Sequence, residues 1–186
     1  MAPPIATRLT YRDLLRMPED GPRYELIDGE AYIIPAPDTD HQRAILDLAI
    51  LMRQAIRDLS EVFVAPLDVV LADDTALQPD VLLVRPDGRA RIRRSIEGPP
   101  DLAVEVLSPT SRWRDRGIKR ATYARFGVSE YWLVDLGRRS IEVYRLAAGD
   151  PPAFRLERCY LEGEILTTPL LPALQLDPAQ LFPAPA

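Results

Sequence analysis

The sequence predicts an α/β protein in which a mixed β-sheet is flanked by helices, with an N-terminal β-hairpin and a late β addition. Three observations lead to this fold class: an Asp-Gly turn between two short strand patterns, a long amphipathic helix pattern, and a central region in which apolar strand runs stand on both sides of a second helix pattern. Strands that flank a helix in this order favour a mixed sheet with helices packed on it.

The composition is that of one folded domain. The chain has 186 residues, of which 47% are hydrophobic and 27% are charged, and this is enough apolar surface for one substantial core. The sequences Ala-Pro-Pro at the start and Phe-Pro-Ala-Pro-Ala at the finish are typical of loops. We therefore expect residues 1–186 to form a single domain with short disordered tails at both ends.

Several classes of protein are excluded by what the sequence lacks. No apolar run approaches the roughly 18 residues of a membrane span, and the first residues lack the apolar core of a secretory signal. Cys159 is the only cysteine, so neither an internal disulfide nor a cysteine-based zinc cluster can form. We expect a cytoplasmic protein with no membrane partner.

The N-terminal third predicts a short helix, a hairpin and a long helix. Residues 10–17 form a helix pattern capped by Thr10 and stopped by Pro18. Residues 23–28 and 30–34 predict a hairpin around Asp28-Gly29. Asp38 or Thr39 can cap a helix that reaches Leu59. Its apolar positions recur at spacings of three and four, as a core-facing stripe requires: Ile45, Leu48, Ala49, Met52 and Ile56.

The centre of the chain is rich in strand patterns. Two short strands are predicted at residues 62–65 and 68–71, followed by an apolar strand at 81–84. Residues 101–107 form another apolar run, which is entered through Gly98-Pro99-Pro100 and closed by Ser108-Pro109.

A second helix and further strands complete the pattern. The helix is predicted over residues 114–126 and ends at Gly127. Strands are predicted at residues 131–135 and 140–145, and residues 154–160 and 165–167 predict the late β addition.

Glu105 stands in the middle of a strand whose two faces are otherwise apolar. A buried carboxylate must be paired, protonated or bound to a cation. Asp80 directly precedes the neighbouring apolar strand, and two such carboxylates repel each other unless a positive charge lies between them. A hard divalent cation such as Mg²⁺ fits that need. Two structural alternatives remain open: Glu105 can form a buried ion pair, for example with Arg112 or Arg116, and Asp80 can be a turn residue.

Lys119 is the only lysine, whereas the chain contains 22 arginines. Arginine and lysine differ in shape, hydration and titration, so a site that requires a compact point charge cannot accept arginine. The single lysine therefore indicates a position where the ammonium group matters.

These residues carry a resemblance to a known family. Pro79-Asp80, Glu105-Val-Leu107 and Lys119 resemble the PD-(D/E)XK nuclease superfamily, and the chain more closely resembles the Uma family of restriction-endonuclease-like proteins. The matching stretches cover most of the chain: Arg23-Tyr-Glu-Leu-Ile-Asp-Gly-Glu30, His41, Gln78-Pro-Asp80, Ala103-Val-Glu-Val-Leu-Ser-Pro109, Lys119, Tyr123 and Gly127-Val-Ser-Glu-Tyr-Trp-Leu-Val-Asp135.

The resemblance implies a restriction-endonuclease-like fold and a metal-dependent endonuclease that hydrolyses DNA. Asp80 and Glu105 would bind Mg²⁺ or Mn²⁺, with Glu25 as a supporting acid and Lys119 as the catalytic lysine. The sequence departs from the superfamily pattern in one place, because Leu107 occupies the position where the lysine is expected. The resemblance also implies a homodimer, and the late β addition is where we expect its interface.

Three residues are candidate substrate contacts. His41, in the first turn of the long helix, can touch a phosphate or carry a proton, or it can be an exposed helix-start residue. Tyr123 lies one helical turn after Lys119 and can reach the same centre, although tyrosine there can equally be a packing residue. Arg116 is the third. Trp113 is a weaker candidate for base stacking.

The net charge of −5 argues against broad, non-specific affinity for nucleic acid. Residues 85–120 nevertheless hold ten basic and five acidic side chains, which predicts either a phosphate-binding surface or a solvated face. The alternatives to an endonuclease are a catalytically inactive nucleic-acid-binding or regulatory module of the same fold, and a purely structural interaction protein.

Overall fold

The computed structural model of the chain describes residues 8–18 and 20–182. The short disordered tails predicted at both ends fall on residues outside this range. The strands in chain order are β1 (Arg23–Ile27), β2 (Glu30–Ile34), β3 (Glu61–Val64), β4 (Val69–Ala72), β5 (Thr75–Leu77), β6 (Val81–Val84), β7 (Arg91–Ile92), β8 (Ile96–Glu97), β9 (Leu102–Val106), β10 (Glu130–Asp135), β11 (Ser140–Ala147), β12 (Ala153–Leu161), β13 (Leu166–Thr168) and β14 (Leu171–Leu176).

The helical elements are fewer. They are α1 (Tyr11–Leu14), α2 (Thr39–Ala55), α3 (Arg112–Arg114), a π-helical segment (Asp115–Lys119), α4 (Arg120–Phe126) and a 3₁₀ turn (Pro178–Leu181). None of the helices in the described part of the chain is long and apolar enough to cross a membrane.

The N-terminal hairpin forms as the sequence predicts. β1 and β2 pair antiparallel from Arg23↔Ile34 to Ile27↔Glu30. Asp28 and Gly29 both have positive φ angles, 51° and 80°, as the two central residues of a type I′ hairpin turn require. Thr10 caps α1 in a capping box: its hydroxyl accepts a hydrogen bond from the backbone N–H of Asp13, and the Asp13 carboxylate accepts one from the backbone N–H of Thr10.

The central sheet has the order β12-β11-β10-β9-β6-β3. β9 and β10 are parallel, and the helical segment from Arg112 to Phe126 connects them; the other neighbours in this sheet are antiparallel. A second sheet has the order β2-β1-β5-β4-β8-β7. Both sheets are therefore mixed, which confirms the predicted α/β class and adds a second sheet to it.

The two faces of β9 lie in different parts of the core. Leu102, Val104 and Val106 pack in the cluster that contains the buried stripe of α2 and the strand β14. Ala103 and Leu107 pack in the cluster that contains Tyr123 of α4 and Ile27 of the hairpin. Because side chains alternate along a strand, Glu105 belongs to the second face, toward α4 and the hairpin.

Some boundaries and elements differ from the prediction. α2 ends at Ala55 rather than Leu59, since Ile56 is extended and the guanidinium of Arg57 binds the carbonyls of Gln54 and Ile56. The predicted helix over residues 114–126 begins at Arg112 and contains the π-helical segment. The sequence did not predict β5, β7, β8 or β14, three of which have only two or three residues.

Candidate active site

Four elements bring their polar side chains to one cavity of about 430 Å³. β1 contributes Glu25, the loop before β6 contributes Asp80, β9 contributes Glu105, and the π-helical segment contributes Asp115 and Lys119. The structure therefore brings together all four residues that the sequence analysis named as catalytic, and it adds Asp115 to them.

The ammonium group of Lys119 is the centre of this arrangement. Its Nζ lies 2.7 Å from Glu105 Oε1 and 2.8 Å from Glu25 Oε1, and Asp115 Oδ1 is 3.7 Å away. Lys119 itself is buried. The carboxylate of Glu25 is held from a second side, because Oε1 also accepts a hydrogen bond from the backbone of Gln78 at 2.9 Å.

Leu107 occupies the position where the superfamily pattern expects the lysine, and Lys119 reaches Glu105 from another element. Leu107 directly follows β9, on the same side of the strand as Glu105, and it is buried in the apolar cluster that also contains Tyr123. A lysine at position 107 would replace that apolar contact. In this chain the ammonium group instead reaches Glu105 from the helical connection that follows β9.

Tyr123 contacts the same oxygen of Glu105 that Lys119 contacts. Its hydroxyl donates a hydrogen bond to Glu105 Oε1 at 3.2 Å, while its ring packs against Tyr131 with centroids 5.3 Å apart. Tyr123 is completely buried. Both readings of this residue therefore apply, since it is a packing residue whose hydroxyl contacts the centre.

Asp80 and His41 form a second polar group at the cavity. Asp80 Oδ2 accepts a hydrogen bond from the backbone of Val106 at 2.7 Å. His41 Nε2 lies 2.9 Å from the Val106 carbonyl and 3.3 Å from Asp80 Oδ2. Since a carbonyl can only accept, Nε2 carries the proton. His41 is thus half-buried against Asp80 and is not an exposed helix-start residue.

The charge of Asp80 changes the titration of His41. Burial alone would lower the pKa of His41, but the hydrogen bond from His41 to Asp80 and the negative charge of Asp80 outweigh burial and raise the pKa above its ordinary value of 6.5. The carboxylate of Asp80 therefore makes His41 easier to protonate than an exposed imidazole.

Asp115 is the site residue that the sequence analysis missed. Its Oδ2 is buried and accepts no hydrogen bond from the described residues. Burial raises the pKa of Asp115 above its usual value, although Lys119 opposes the shift. The spacing of four residues to Lys119 was a signal that could have identified it, because such residues share a helix face.

The pKa values of Glu105 and Lys119 are both raised, but for different reasons. Burial, together with the charges of Asp115, Asp80 and Glu25, raises the pKa of Glu105 well above 4.5 even though Lys119 opposes this. Burial alone would lower the pKa of Lys119, but the surrounding carboxylates, led by Glu105, raise it well above 10.5. The ammonium therefore stays charged, and the acids around it are in excess.

The donor chemistry of the cavity fits a hard divalent cation. Asp80 and Glu105 each have one carboxylate oxygen that accepts no hydrogen bond from the described residues, and Mg²⁺ commonly takes one or two carboxylates and keeps several waters. Among the residues that the structure describes, no three acidic, histidine or cysteine side chains are placed to hold a metal ion by themselves. Protein ligation would rest on this pair.

Two arginines that the sequence analysis considered lie elsewhere. Arg116 binds Glu142 through two hydrogen bonds of 2.8 and 2.9 Å, and Arg112 binds Asp135 at 2.8 and 3.1 Å. Neither lines the cavity. Glu105 does form a buried ion pair, but its partner is Lys119 and neither of these arginines. The structure does not bring Arg116 to the cavity as a substrate contact.

Much of the basic segment is engaged within the protein. Arg89 binds the carbonyls of Phe126 and Gly127, Arg93 pairs with Glu97, and Arg85 pairs with Asp87. The segment includes β7 and β8, which stand at the opposite edge of the second sheet from the hairpin.

Comparison with known proteins places the chain in a family. A family model described as "Uma2: Putative restriction endonuclease" matches residues 11–179. The fold is similar to the crystal structure of a "putative nuclease belonging to DUF820" from Anabaena variabilis, with a TM-score of 0.74, 20% sequence identity, and coverage of 93% of this chain and 97% of that one. No match was found among the curated proteins. With nearly its whole length matched, the chain belongs to the Uma2 family of restriction-endonuclease-like proteins.

Proposed function

We propose that this protein is a Mg²⁺- or Mn²⁺-dependent endonuclease that hydrolyses phosphodiester bonds of DNA at the Lys119 cavity. One observation carries the proposal: the only lysine of an arginine-rich chain is buried in contact with Glu105 and Glu25. A lysine that only served solubility would be exposed, whereas Lys119 is buried. A simple ion pair would need one acid, whereas Lys119 contacts Glu25 and Glu105.

The charge of the cavity supports a cationic ligand. The acidic side chains that line it outnumber its permanent cations: the acids are Glu25, Asp38, Asp80, Glu105 and Asp115, and the cations are Arg23, Arg114 and Lys119. His41 lies beside Asp80. Excess buried negative charge is unfavourable unless it is neutralised. The orphaned Asp115 Oδ2 is a further sign that the cluster is incomplete by itself.

Each residue has a distinct part in the proposed reaction. A bound divalent cation would polarise the scissile phosphate and lower the pKa of a bound water. Asp80 and Glu105 would hold it, with Asp80 oriented by Val106 and Glu105 by Tyr123. Lys119 would neutralise charge that develops on the phosphate oxygens in the transition state, and Glu25 and Asp115 keep its ammonium in position.

Cleavage of plasmid DNA tests the proposal. The wild type should nick or linearise a plasmid with Mg²⁺ or Mn²⁺, and Glu105→Gln should abolish this. Glu142→Gln is the matched control, because Glu142 pairs with Arg116 outside the cavity, so the same change there should leave cleavage intact. Absence of cleavage by the wild type with both metals, or equal cleavage by wild type and Glu105→Gln, would contradict the proposal.

The second candidate is a catalytically inactive nucleic-acid-binding module. It is favoured by Lys119, whose ammonium is engaged by three carboxylates, and by the apolar residue at position 107. A module of this kind should bind divalent cations and DNA without cleaving DNA, so turnover separates the two candidates.

We also propose that the protein forms a homodimer through the late β addition. β12 is the edge of the central sheet and, apart from Tyr160, its side chains are exposed or half-buried. A long open edge offers unpaired backbone groups to a second strand. Light scattering during gel filtration should give twice the monomer mass, and a monomer mass at all concentrations would contradict the dimer.

A further inference from the structure

Arg114 is a buried cation at the wall of the cavity. It is the last residue of α3, is only 7% exposed, and lines the cavity beside Asp115. Its Nη1 donates a hydrogen bond of 3.1 Å to the carbonyl of Ile33 in β2, which fixes the guanidinium between the hairpin and the helical segment. The residue is therefore well positioned before any ligand arrives.

No acid partners Arg114 within the described residues, and this distinguishes it from its neighbours. Arg112 and Arg116 each hold a carboxylate with two hydrogen bonds, and Lys119 contacts three acids. A charge that is taken out of water without a counter-ion is costly. Apart from the bond to Ile33, the donors of Arg114 remain for an anion at the cavity.

Two aromatic rings lie near this guanidinium. The Tyr32 ring centroid is 5.7 Å from Arg114 Cζ, and the Trp113 ring centroid is 6.0 Å from it. Trp113 is 59% exposed, so most of its indole is open to a partner. A fixed cation next to an open aromatic ring matches the combination with which proteins hold unpaired nucleotides, whose phosphates need charge and whose bases need a stacking surface.

We infer that Arg114 and Trp113 form a nucleotide subsite for a single-stranded or locally opened nucleic acid. Arg114 binds a backbone phosphate next to the one that is cleaved, through its fork of donors, and Trp113 stacks on the adjacent base. This inference rests on the proposed function, since it assigns part of the same substrate to the wall of the same cavity. A paired base inside a duplex cannot offer its face to Trp113, so the subsite favours unpaired strands.

Binding without cleavage tests the subsite. A fluorescein-labelled single-stranded DNA oligonucleotide is titrated with the protein in EDTA, and anisotropy gives the Kd. Arg114→Gln should weaken binding about tenfold or more, as loss of a charge-assisted hydrogen bond does, and should reduce the salt slope by about 0.7. Trp113→Ala should weaken binding of the single strand about fivefold or more while changing binding of the matching duplex little.

Matched variants control for loss of charge and of apolar surface. Arg53→Gln and Leu59→Ala remove an exposed arginine from the last turn of α2 and an exposed apolar side chain shortly after it. Neither residue lines the cavity or belongs to β12, so both variants should bind like the wild type. Arg114→Lys keeps the charge and guards against misfolding of the glutamine variant. It should retain the salt slope yet bind more weakly, because an ammonium lacks the planar fork.

The outcomes separate the subsite from the proposed function. The subsite is wrong if Arg114→Gln, Arg114→Lys and Trp113→Ala, each folded by circular dichroism, bind the single strand as tightly as Arg53→Gln, or if the wild type binds no single strand. Cleavage with Mg²⁺ is measured on the same wild-type preparation. Binding that depends on Arg114 without cleavage upholds the subsite and rejects hydrolysis, whereas cleavage with unaltered binding in all three variants rejects the subsite alone.

Discussion

Two ion-pair clusters arise from the same helical segment and differ in nearly every property. The first, which we call the arginine network, joins Arg112 and Arg116 to Asp135 and Glu142. The second, the lysine cluster, joins Lys119 to Glu25, Glu105 and Asp115. Residues 112 and 116 share one helix face, and residues 115 and 119 share another, so a few residues of chain serve both clusters.

The arginine network is balanced. Each guanidinium holds one carboxylate with two hydrogen bonds. Burial alone would raise the pKa of Asp135 and Glu142, but hydrogen bonds from Arg112 and Arg116 outweigh it and lower both values. This is the behaviour of ion pairs that stabilise a fold.

The lysine cluster is unbalanced. It has three carboxylates around one ammonium, and burial raises the pKa of Glu105 and Asp115 instead of lowering it. Carboxyl groups with raised pKa values that line a cavity are typical of functional sites. Acidic and basic residues occur together in both clusters, so their presence alone does not identify a functional site. The two clusters differ in the ratio of acids to cations, in burial, and in whether the pKa values of the acids are raised or lowered.

The largest effect is expected on DNA cleavage, when the lysine of one cluster is replaced by arginine and an arginine of the other by lysine. Lys119→Arg preserves the charge, but the planar guanidinium cannot occupy the position of the ammonium between Glu25 and Glu105. DNA cleavage should fall ~10²–10³-fold, as for loss of a well-placed electrostatic group, while the protein still folds. The mirror exchange Arg116→Lys should leave cleavage unchanged. Full cleavage by Lys119→Arg would remove Lys119 from the catalytic assignment.

The next effect is on stability, and the two clusters should respond with opposite signs. Arg116→Ala leaves Glu142 without its guanidinium and should lower the free energy of unfolding by about 1–3 kcal/mol. Asp115→Asn relieves repulsion in the lysine cluster and should raise the free energy of unfolding of the metal-free protein, because burial disfavours the charged form. Urea unfolding in EDTA at pH 7 measures both, and a loss of stability in Asp115→Asn would make the lysine cluster a structural network.

The dependence of stability on pH sharpens the same contrast. The raised pKa values of Glu105, Asp115 and His41 mean that the folded state binds more protons than the unfolded state above their ordinary values of 4.5, 3.8 and 6.5. The stability of the metal-free protein should therefore fall as pH rises from 5 to 8. Melting temperatures across this range should fall less steeply in Glu105→Gln, and an unchanged profile would contradict the raised pKa of Glu105.

The smallest effect is expected outside both clusters. Arg91 and Arg94 are exposed and form no ion pair with the described residues, so replacing both with glutamine should change the free energy of unfolding by no more than about 0.5 kcal/mol. If these arginines contact phosphates, the salt slope of DNA binding should flatten by up to about one unit each. An unchanged slope would make the basic segment a solvated face.

The sequence predicted those elements whose local signals agree with the final packing. The Asp28-Gly29 turn demands positive φ angles that few other pairs adopt, and the apolar run at residues 81–84 is β6 with the same bounds. The buried face of α2 was predicted in part, because Ile45, Leu48 and Met52 are spaced for one helix face and are buried. Of the other predicted members, Ala49 is half-buried and Ile56 lies beyond the end of the helix. Glu105 was identified because a carboxylate within an apolar strand is costly to bury unless it has a partner.

Other features depend on contacts between distant parts of the chain. β7 and β8 have two residues each and form by pairing within the second sheet. Strands this short show no alternation of apolar and polar residues from which they could be predicted. Asp115 looked like one of many charges on a helix, and its orphaned oxygen is apparent only when the cavity is formed. The sequence could not show that Arg116 has an acidic partner whereas Arg114 has none among the described residues. The partner of Arg116 is Glu142, which is 26 residues away along the chain.

Calorimetric titration with Mn²⁺ tests most directly whether the lysine cluster and Asp80 form a cation-binding active site. The wild type should bind Mn²⁺, and Asp80→Asn and Glu105→Gln should each abolish the binding, because each removes a carboxylate that would hold the ion. Glu142→Gln in the arginine network should bind Mn²⁺ like the wild type. Equal binding by the wild type and both cavity variants, or no binding by the wild type, would contradict the account.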